Sequence, residues 1–453
     1  MSVLQQSQSS APALVIAPPP TSPSTSSFAQ SLTVAERRLR WFIVGWITLS
    51  TILNLIDKNT LAILAPTLTK ELGMSQMDYA RIVIAFQLAY AVMYFVSGRF
   101  VDVVGEKIGM TACVVWWSIA AALCAAARGV MSFGIFRFLL GIGEPGNYPA
   151  ALRVSARWFA KEERGLPIAI WSSGSSVGSL LAVPIVTSLA LHFGWRSGFL
   201  VPGLVGGVWV IVWVLAYRHP AVAVNDPRFQ PAAKATSTGV DKESQSFREV
   251  LKDKRLWALV GVRLLNDPIW LFYISWMPKY LAEVWKFDLS KMRLYGWIPF
   301  LFGGMGGIFG GVASDWLIRR GFVPARARKT CLYVTGAIAP LGMLTGYVGS
   351  AGVSIAFLAM MAFICYTWFI ATAALMSDIF SERHVGSVLG LTAGIGQFAG
   401  IGMAWLAGHL LEQGRADLRH SYGVLFVIAG SAHVIALAIL YFFLRDKPAK
   451  TSE

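Results

Sequence analysis

The chain has 453 residues, of which 55% are hydrophobic and only 14% charged. A soluble domain carries about 25% charged residues, so this composition excludes an ordinary soluble protein and indicates a polytopic membrane protein. The formal net charge of +15 does not indicate a nucleic-acid binder. The basic residues gather in short loops between apolar runs, as membrane topology requires of cytoplasmic loops.

Residues 1–33 are rich in Ser, Pro, Ala and Thr, and such a segment is expected to be a disordered cytoplasmic tail. It lacks the basic and then apolar pattern of a cleaved signal peptide. Arg37, Arg38 and Arg40 then hold the start of the first span on the cytoplasmic side. Apolar runs and their polar breaks predict twelve transmembrane helices. They lie near 41–66, 79–98, 108–127, 131–156, 165–190, 198–217, 256–280, 292–314, 330–348, 351–376, 386–410 and 421–444. An even count returns the C-terminal tail, 446–453, to the cytoplasm. The one basic loop expected on the outer side carries Lys279, Lys286, Lys291 and Arg293, and is read as a solvated face rather than an anion funnel.

The fourth run places Arg137 and Glu144 inside Arg137-Phe-Leu-Leu-Gly-Ile-Gly-Glu144-Pro-Gly-Asn-Tyr-Pro149. Seven helical residues rise about 10 Å, with both side chains on nearly one face. Ionisable groups at membrane depth are costly and usually mark a substrate or ion path, the competing reading being an ion pair that locks two helices. Gly141, Gly143 and Gly146 thin this helix for close approach by a neighbour. Residues 218–255 form the longest polar stretch after the N-terminal tail, and divide the spans into an N-terminal half, 34–217, and a C-terminal half, 256–445, joined by a cytoplasmic linker. The halves echo one another. Gly98-Arg-Phe-Val-Asp102-Val-Val-Gly105-Glu-Lys107 follows span two, and Gly311-Val-Ala-Ser-Asp315-Trp-Leu-Ile-Arg319-Arg-Gly321 follows span eight. A second echo pairs Phe159 through Gly165 with Phe380 through Gly386. Corresponding loops in two six-span halves mark a transporter built from parallel repeats.

These residues resemble the major facilitator superfamily. The Gly98–Lys107 loop is similar to that superfamily's signature, with a partial copy at Gly311. The fourth-span sequence, with Gly194-Trp195-Arg196, resembles the anion:cation symporter family. Asn266-Asp267-Pro268-Ile-Trp270-Leu-Phe272-Tyr273 and the following Trp276-Met-Pro278-Lys-Tyr280 are similar to the bacterial hexuronate (glucuronate and galacturonate) transporters within it. The resemblance spans about residues 35 to 445 and implies an all-α fold of two six-helix halves. It also implies proton-coupled uptake of an organic anion, usually a sugar acid, across the bacterial inner membrane by alternating access. It implies functional roles for Asp57 and Lys58 in span one, Tyr90 in span two, and Arg137 and Glu144 in span four. Two positions depart from the pattern. Relatives commonly have arginine at Lys58, and lysine keeps the charge but loses the planar fork that grips a carboxylate. Ser175 stands where relatives have a glutamine.

Asp57, Lys58, Arg137, Glu144, Arg263 and Asp267 are the ionisable groups expected at mid-depth. Three acids balance three bases, so an arriving carboxylate leaves one anion unpaired and protonation of one acid restores balance. That is the logic of symport. Glu144 and Asp57 are therefore expected to carry the proton, with Lys58 and Arg137 as anion contacts. Tyr90, Ser175, Trp270, Tyr273, Trp368, Thr372 and Gln397 are expected to serve sugar hydroxyls, each against the plainer reading of core packing. Asp102 and Lys107, with Asp315 and Arg319, are expected to gate by charge pairing at helix ends, with Arg157 and Arg164 in reach.

Enzyme readings find no support: there is no His/Cys metal spacing, no phosphate-cradling Gly-x4-Gly-Lys and no nucleophile elbow. Cys113, Cys124, Cys331 and Cys365 read as small core residues. No metal, cofactor or nucleic acid is expected; the expected partners are a small organic anion, a proton and the bilayer, with the chain working as a monomer. Three alternatives stay open. They are another anion (an aldonate, aldarate or aromatic carboxylate), sodium in place of the proton, and an anion sensor that does not transport.

Overall fold

The computed structural model describes residues 33–159, 163–218 and 247–444, and these are helical with short connections. In chain order the helices are α1 (Val34–Glu71), α2 (Gln76–Val104), α3 (Glu106–Ala125), α4 (Val130–Gly143), α5 (Asn147–Trp158), α6 (Gly165–Phe193) and α7 (Ser197–Ala216). After residues 219–246 come α8 (Phe247–Lys252), α9 (Lys254–Trp285), α10 (Leu289–Tyr295), α11 (Ile298–Arg319), α12 (Pro324–Ile338), α13 (Ala351–Ile379), α14 (Glu382–Gln413) and α15 (Leu418–Phe443). The expected tails, and all of the expected linker except Arg218 and the segment containing α8, lie outside the described residues.

Every predicted span falls on a helix or a broken helix. Among the described residues nine helices are long and apolar enough to cross a membrane. The other three runs fall short for visible reasons. Span four is interrupted between α4 and α5 by a 3-10 turn, Glu144–Gly146, because Pro145 has no N–H to continue the helical ladder. Span nine ends its α-helix at Ile338 and continues as a 3-10 segment, Ala339–Gly346, containing Pro340. Span seven, α9, carries Arg263, Asp267 and Lys279 along its length.

Helix ends are capped by their own sequence. Thr33 and Glu36 form a reciprocal capping box on α1, as do Ser75 and Asp78 on α2. Asp253, Asp288, Ser350 and Asp417 accept backbone N–H bonds at the starts of α9, α10, α13 and α15.

In a bilayer, lipid tails are as apolar as leucine, so close packing rather than water exclusion holds helices together. α1 packs along α6, α3 along α7, α2 along α4, α11 along α13 and α9 along α14. A Cβ at Gly306 would run into the Phe363 carbonyl, so α11 and α13 approach at backbone distance only because that side chain is missing. Helices on either side of residues 219–246 meet where α2 packs on α14, α1 on α9, and α6 on α10 and α11. The site lies along these seams.

Candidate functional site

The charged cluster of the first helices is built around a break. Because α4 ends where Pro145 interrupts it, Glu144 occupies the turn, and α5 resumes at Asn147. The Asn147 side chain donates to Thr51 Oγ1 at 3.1 Å and accepts from Ser50 Oγ at 2.9 Å, while Asn54 Nδ2 donates to the Glu144 carbonyl at 3.4 Å. These bonds stitch α1 to the broken helix. On the other side a Cβ at Gly141 would lie 2.5 Å from the Phe86 carbonyl, so α2 is drawn against α4.

Within this frame Arg137 donates from Nη1 to the Asp57 carbonyl at 3.1 Å and from Nη2 to the Lys58 carbonyl at 3.3 Å. Its guanidinium lies over the Phe86 ring at 4.6 Å. Lys58 Nζ sits 4.4 Å from the centre of the Tyr90 ring, a cation–π contact. Asp57, Arg137 and Glu144 are buried, and Arg137 and Glu144 lie within electrostatic range of each other and of both Asp57 and Lys58. The carboxylate oxygens of Asp57 and Glu144 find no hydrogen-bond partner among the described residues. Buried charges are normally paired and hydrogen-bonded, so two bare carboxylates behind two cations form a set with spare capacity for protons.

Lys58, Arg137 and Tyr90 line a narrow cavity, closed from the other side by Gln397 of α14 and by Leu271 and Ser275 of α9. Its free volume is about 30 Å³, room for a water rather than for a sugar acid, so the helices are drawn in around it. Three polar residues line it that sequence reasoning missed, Tyr79, Gln87 and Ser275. Gln87 is buried with an unpartnered Oε1. A signal existed: it stands three residues before Tyr90 in an apolar run, on the same helix face.

The remaining expected sugar contacts are placed elsewhere. Trp270 and Tyr273 line a neighbouring crevice, of about 10 Å³, with Met277 and Phe300. Trp270 meets Tyr366 edge-on at 4.6 Å, and Tyr273 stacks on Phe426 at 5.9 Å. Tyr273 points about 160° away from the cavity-lining Leu271, and Trp270, although only about 40° from Ile274, turns to the Tyr366 ring. Trp368 is buried in the packing of α13, donating to Thr335 Oγ1 at 3.1 Å and meeting His433 edge-on. Thr372 is buried one turn further along α13, and Ser175 is half-buried on α6. None of these five lines the cavity with Lys58 and Arg137.

At the end of the helices nearest residues 219–246, the expected acids find other partners. Asp102 pairs with Arg153 at 2.7 Å, and Glu106 takes Arg153 and Arg157, each at 3.2 Å. Asp315 pairs with Arg328 at 2.9 Å, and Arg328 also bonds Ser314. Lys107 instead donates to the Tyr217 carbonyl at 2.9 Å, Arg319 reaches only the Asp315 backbone carbonyl at 3.4 Å, and Arg164 bonds the Phe159 carbonyl. The bases that meet these acids come from neighbouring helices, α5 and α12, rather than from the loops themselves. Arg153 and Arg157, four residues apart on α5, share the face turned to Glu106.

The opposite end is closed. Lys279, expected in an outer loop, is buried inside α9. It bonds Glu283 one turn on, and donates to Gln76 Oε1 of α2 at 2.8 Å. Gln76 Nε2 returns a bond to Glu283 at 2.8 Å, Tyr422 OH donates to the same carboxylate at 2.8 Å, and Tyr79 OH donates to the Ser275 carbonyl at 2.5 Å. This network ties α2 to α9 and α15, so the cavity is sealed at the Lys279 end, whereas the Asp102 and Asp315 clusters each join helices on one side of residues 219–246.

A helical bundle with broken helices, a central charged cavity and a seal at one end is the anatomy of a secondary transporter. The sequence profile described as Major Facilitator Superfamily matches residues 47–404. The chain belongs to the major facilitator superfamily. It is thus a multi-pass membrane transporter and not an enzyme. The "Hexuronate transporter" of Escherichia coli (strain K12) is 28% identical over 91% of this chain and 95% of its own. The "Galacturonate transporter" of Dickeya chrysanthemi is 29% identical over 60% of this chain and 81% of its own. Among solved superfamily structures, a bacterial homologue of the human lysosomal transporter Spinster, in an inward-facing and unoccupied conformation, superposes with a TM-score of 0.74 at 19% identity. That match covers 91% of this chain and 99% of the other.

Proposed function

We propose that this facilitator is a proton-coupled symporter that imports a sugar-acid anion, a hexuronate, across the bacterial inner membrane by alternating access, with both termini cytoplasmic. The observation that carries this reading is the pairing of two cavity-lining cations, Lys58 and Arg137, with two buried carboxylates, Asp57 and Glu144, that have no hydrogen-bond partners. In the proposed cycle the substrate carboxylate is held by Lys58 and Arg137. Their positive charge is then shared with the substrate, so Glu144 and Asp57 lose part of their compensation, and a proton on one of them restores it. Tyr90, Gln397, Gln87 and Tyr79 offer donors and acceptors to the hydroxyl groups of the sugar. The helices before and after residues 219–246 act as two rocking halves. The Lys279–Glu283–Gln76 seal is the outer closure in this cycle, and the Asp102 and Asp315 clusters brace the inner ends. The names of the relatives support the sugar-acid assignment, and the twofold cationic lining supports an anion of any kind.

The deciding experiment uses purified protein in proteoliposomes with an inward proton gradient. Labelled glucuronate or galacturonate is expected to accumulate and to be released when the gradient is collapsed. Absence of accumulation, with an aldonate, aldarate or aromatic carboxylate taken up instead, assigns the other anion. Dependence on sodium, seen on replacing it by choline, would reject proton coupling, and binding without flux would reject transport.

A further inference from the structure

The mechanism above leaves one buried charge pair without a task. On α9, Arg263 and Asp267 form an ion pair at 2.9 Å, one helical turn apart. Asn266 Nδ2 donates to Asp267 Oδ1 at 3.4 Å, and the Arg263 guanidinium lies 4.5 Å from the Phe369 ring centre. On its far side the Asp267 carboxylate rests against the backbone of α14, where Gly396 leaves no room for a side chain. The pair is thus held in place from three helices.

Its position is the second observation. Leu271 and Ile274 line the cavity, and Asp267 lies one turn, about 6 Å, from Leu271. By helical phase, both Arg263 and Asp267 point within about 20° of Ile274. Tyr94 of α2, on the other side of the seam, lies within electrostatic range of both. The pair is therefore buried on α9 one turn beyond the cavity-lining Leu271, displaced towards the linker end.

We propose that Asp267 is a charge filter: by neutralising Arg263 it makes the stretch of α9 one turn beyond the cavity unattractive to a second carboxylate, so that the transporter accepts monoanions and rejects dianions. This rests on the sugar-acid reading for its choice of substrates, but not for its logic. A single carboxylate is satisfied by Lys58 and Arg137. A dicarboxylate on the same skeleton brings its other charged end towards a stretch of α9 where the arginine is already paired, and where the pair is buried with its carboxylate against α14. Discrimination of this kind comes from repulsion and lost hydration at the wrong end rather than from extra contacts to the right substrate.

The test pairs acids that differ by one carboxylate: glucuronate against glucarate and gluconate against glucarate on one carbon skeleton, and benzoate against phthalate on one ring. Affinity is measured on purified full-length protein in nanodiscs, with thermal melting as a check on folding. The wild type is expected to prefer the monoanion of the bound pair by at least tenfold. Asp267→Asn, which frees Arg263, is expected to narrow that ratio at least tenfold by tightening dianion binding. Arg263→Gln, which leaves the aspartate alone, is expected to widen it. The double variant R263Q/D267N is expected to reject the dianion again, because no free arginine remains. A wild type without discrimination overturns the proposal, as does a ratio that both single variants move in the same direction or leave unchanged. If D267N does not fold, R263Q and the double variant still decide by the same criteria. Should glucuronate fail while gluconate or benzoate binds, the hexuronate assignment falls, and the filter is read on the pair that does bind.

Discussion

Lys58 is where residue chemistry most directly sets substrate grip. Its ammonium is a point charge lying over the Tyr90 ring, beside an Arg137 that already spends two N–H groups on backbone carbonyls. A planar fork at position 58 would add a second charge-assisted hydrogen bond to a carboxylate. Lys58→Arg is therefore expected to tighten monoanion binding by about tenfold, or ~1.4 kcal/mol, read by titration calorimetry. Glu144 tests the other side of the cycle. Glu144→Gln cannot exchange a proton, so gradient-driven uptake is expected to vanish while exchange of internal for external substrate persists in the same vesicles. Loss of binding itself would make Glu144 a structural residue. Much of this site was legible beforehand. Charged side chains inside apolar runs announce themselves, as Arg137 did; the resemblance pointed to Lys58 and Tyr90, and hydrogen-bonding type to Gln397, and these four line one cavity, whereas the amide of Gln87 went unnoticed. The aromatic residues were not legible in the same way. Trp270, Tyr273 and Trp368 are plausible sugar platforms by type, but which face of α9 or α13 meets the seam depends on neighbours that composition does not name.

The helices show a related division. Their existence followed from apolar length, but their interruptions did not: Pro145 and Pro340 sit in 3-10 segments, while Pro66, Pro184, Pro202, Pro268 and Pro278 stay inside continuous helices. Partners across helices were harder. The loop acids Asp102 and Asp315 were evident, whereas Arg153 and Arg328 come from distant turns of α5 and α12, and only packing brings them in. Lys279 was misplaced for the same reason, since a lysine near a predicted span end reads as solvated until Glu283 and Gln76 are seen around it. Packing also supplies a prediction for the α11–α13 seam. Gly306→Val would force the two backbones apart at the Phe363 carbonyl, and overpacking of this kind costs about 1–3 kcal/mol. A lowered melting temperature in detergent, with monoanion affinity in the surviving protein little changed, is the expected result.

For the molecule as a whole, the proposed cycle gives the seal at the Lys279 end control over which conformation is populated. Glu283 is its hub, accepting from Lys279, Gln76 and Tyr422 at once. Glu283→Gln removes the charge that holds Lys279 and weakens the bridge between α2 and α9. The expected outcome is a shift of population towards the state open at that end. A cysteine at Ala62, on the cavity wall, should then be labelled several-fold faster by a membrane-impermeant thiol reagent added from that side. Unchanged labelling would mean that helix packing alone keeps the end shut.

The four charges around Arg137 also carry an energetic consequence for the cell. If the cluster must end each loading step with the charge it had when empty, a monoanion travels with one proton, and the loaded carrier moves no net charge. Membrane voltage, worth about 2.3 kcal/mol per elementary charge at 100 mV, then does no work on uptake. Only the pH difference does, and each unit of it supports about a tenfold accumulation of substrate. Clamping the voltage with potassium and valinomycin should leave the accumulation ratio where the pH difference sets it.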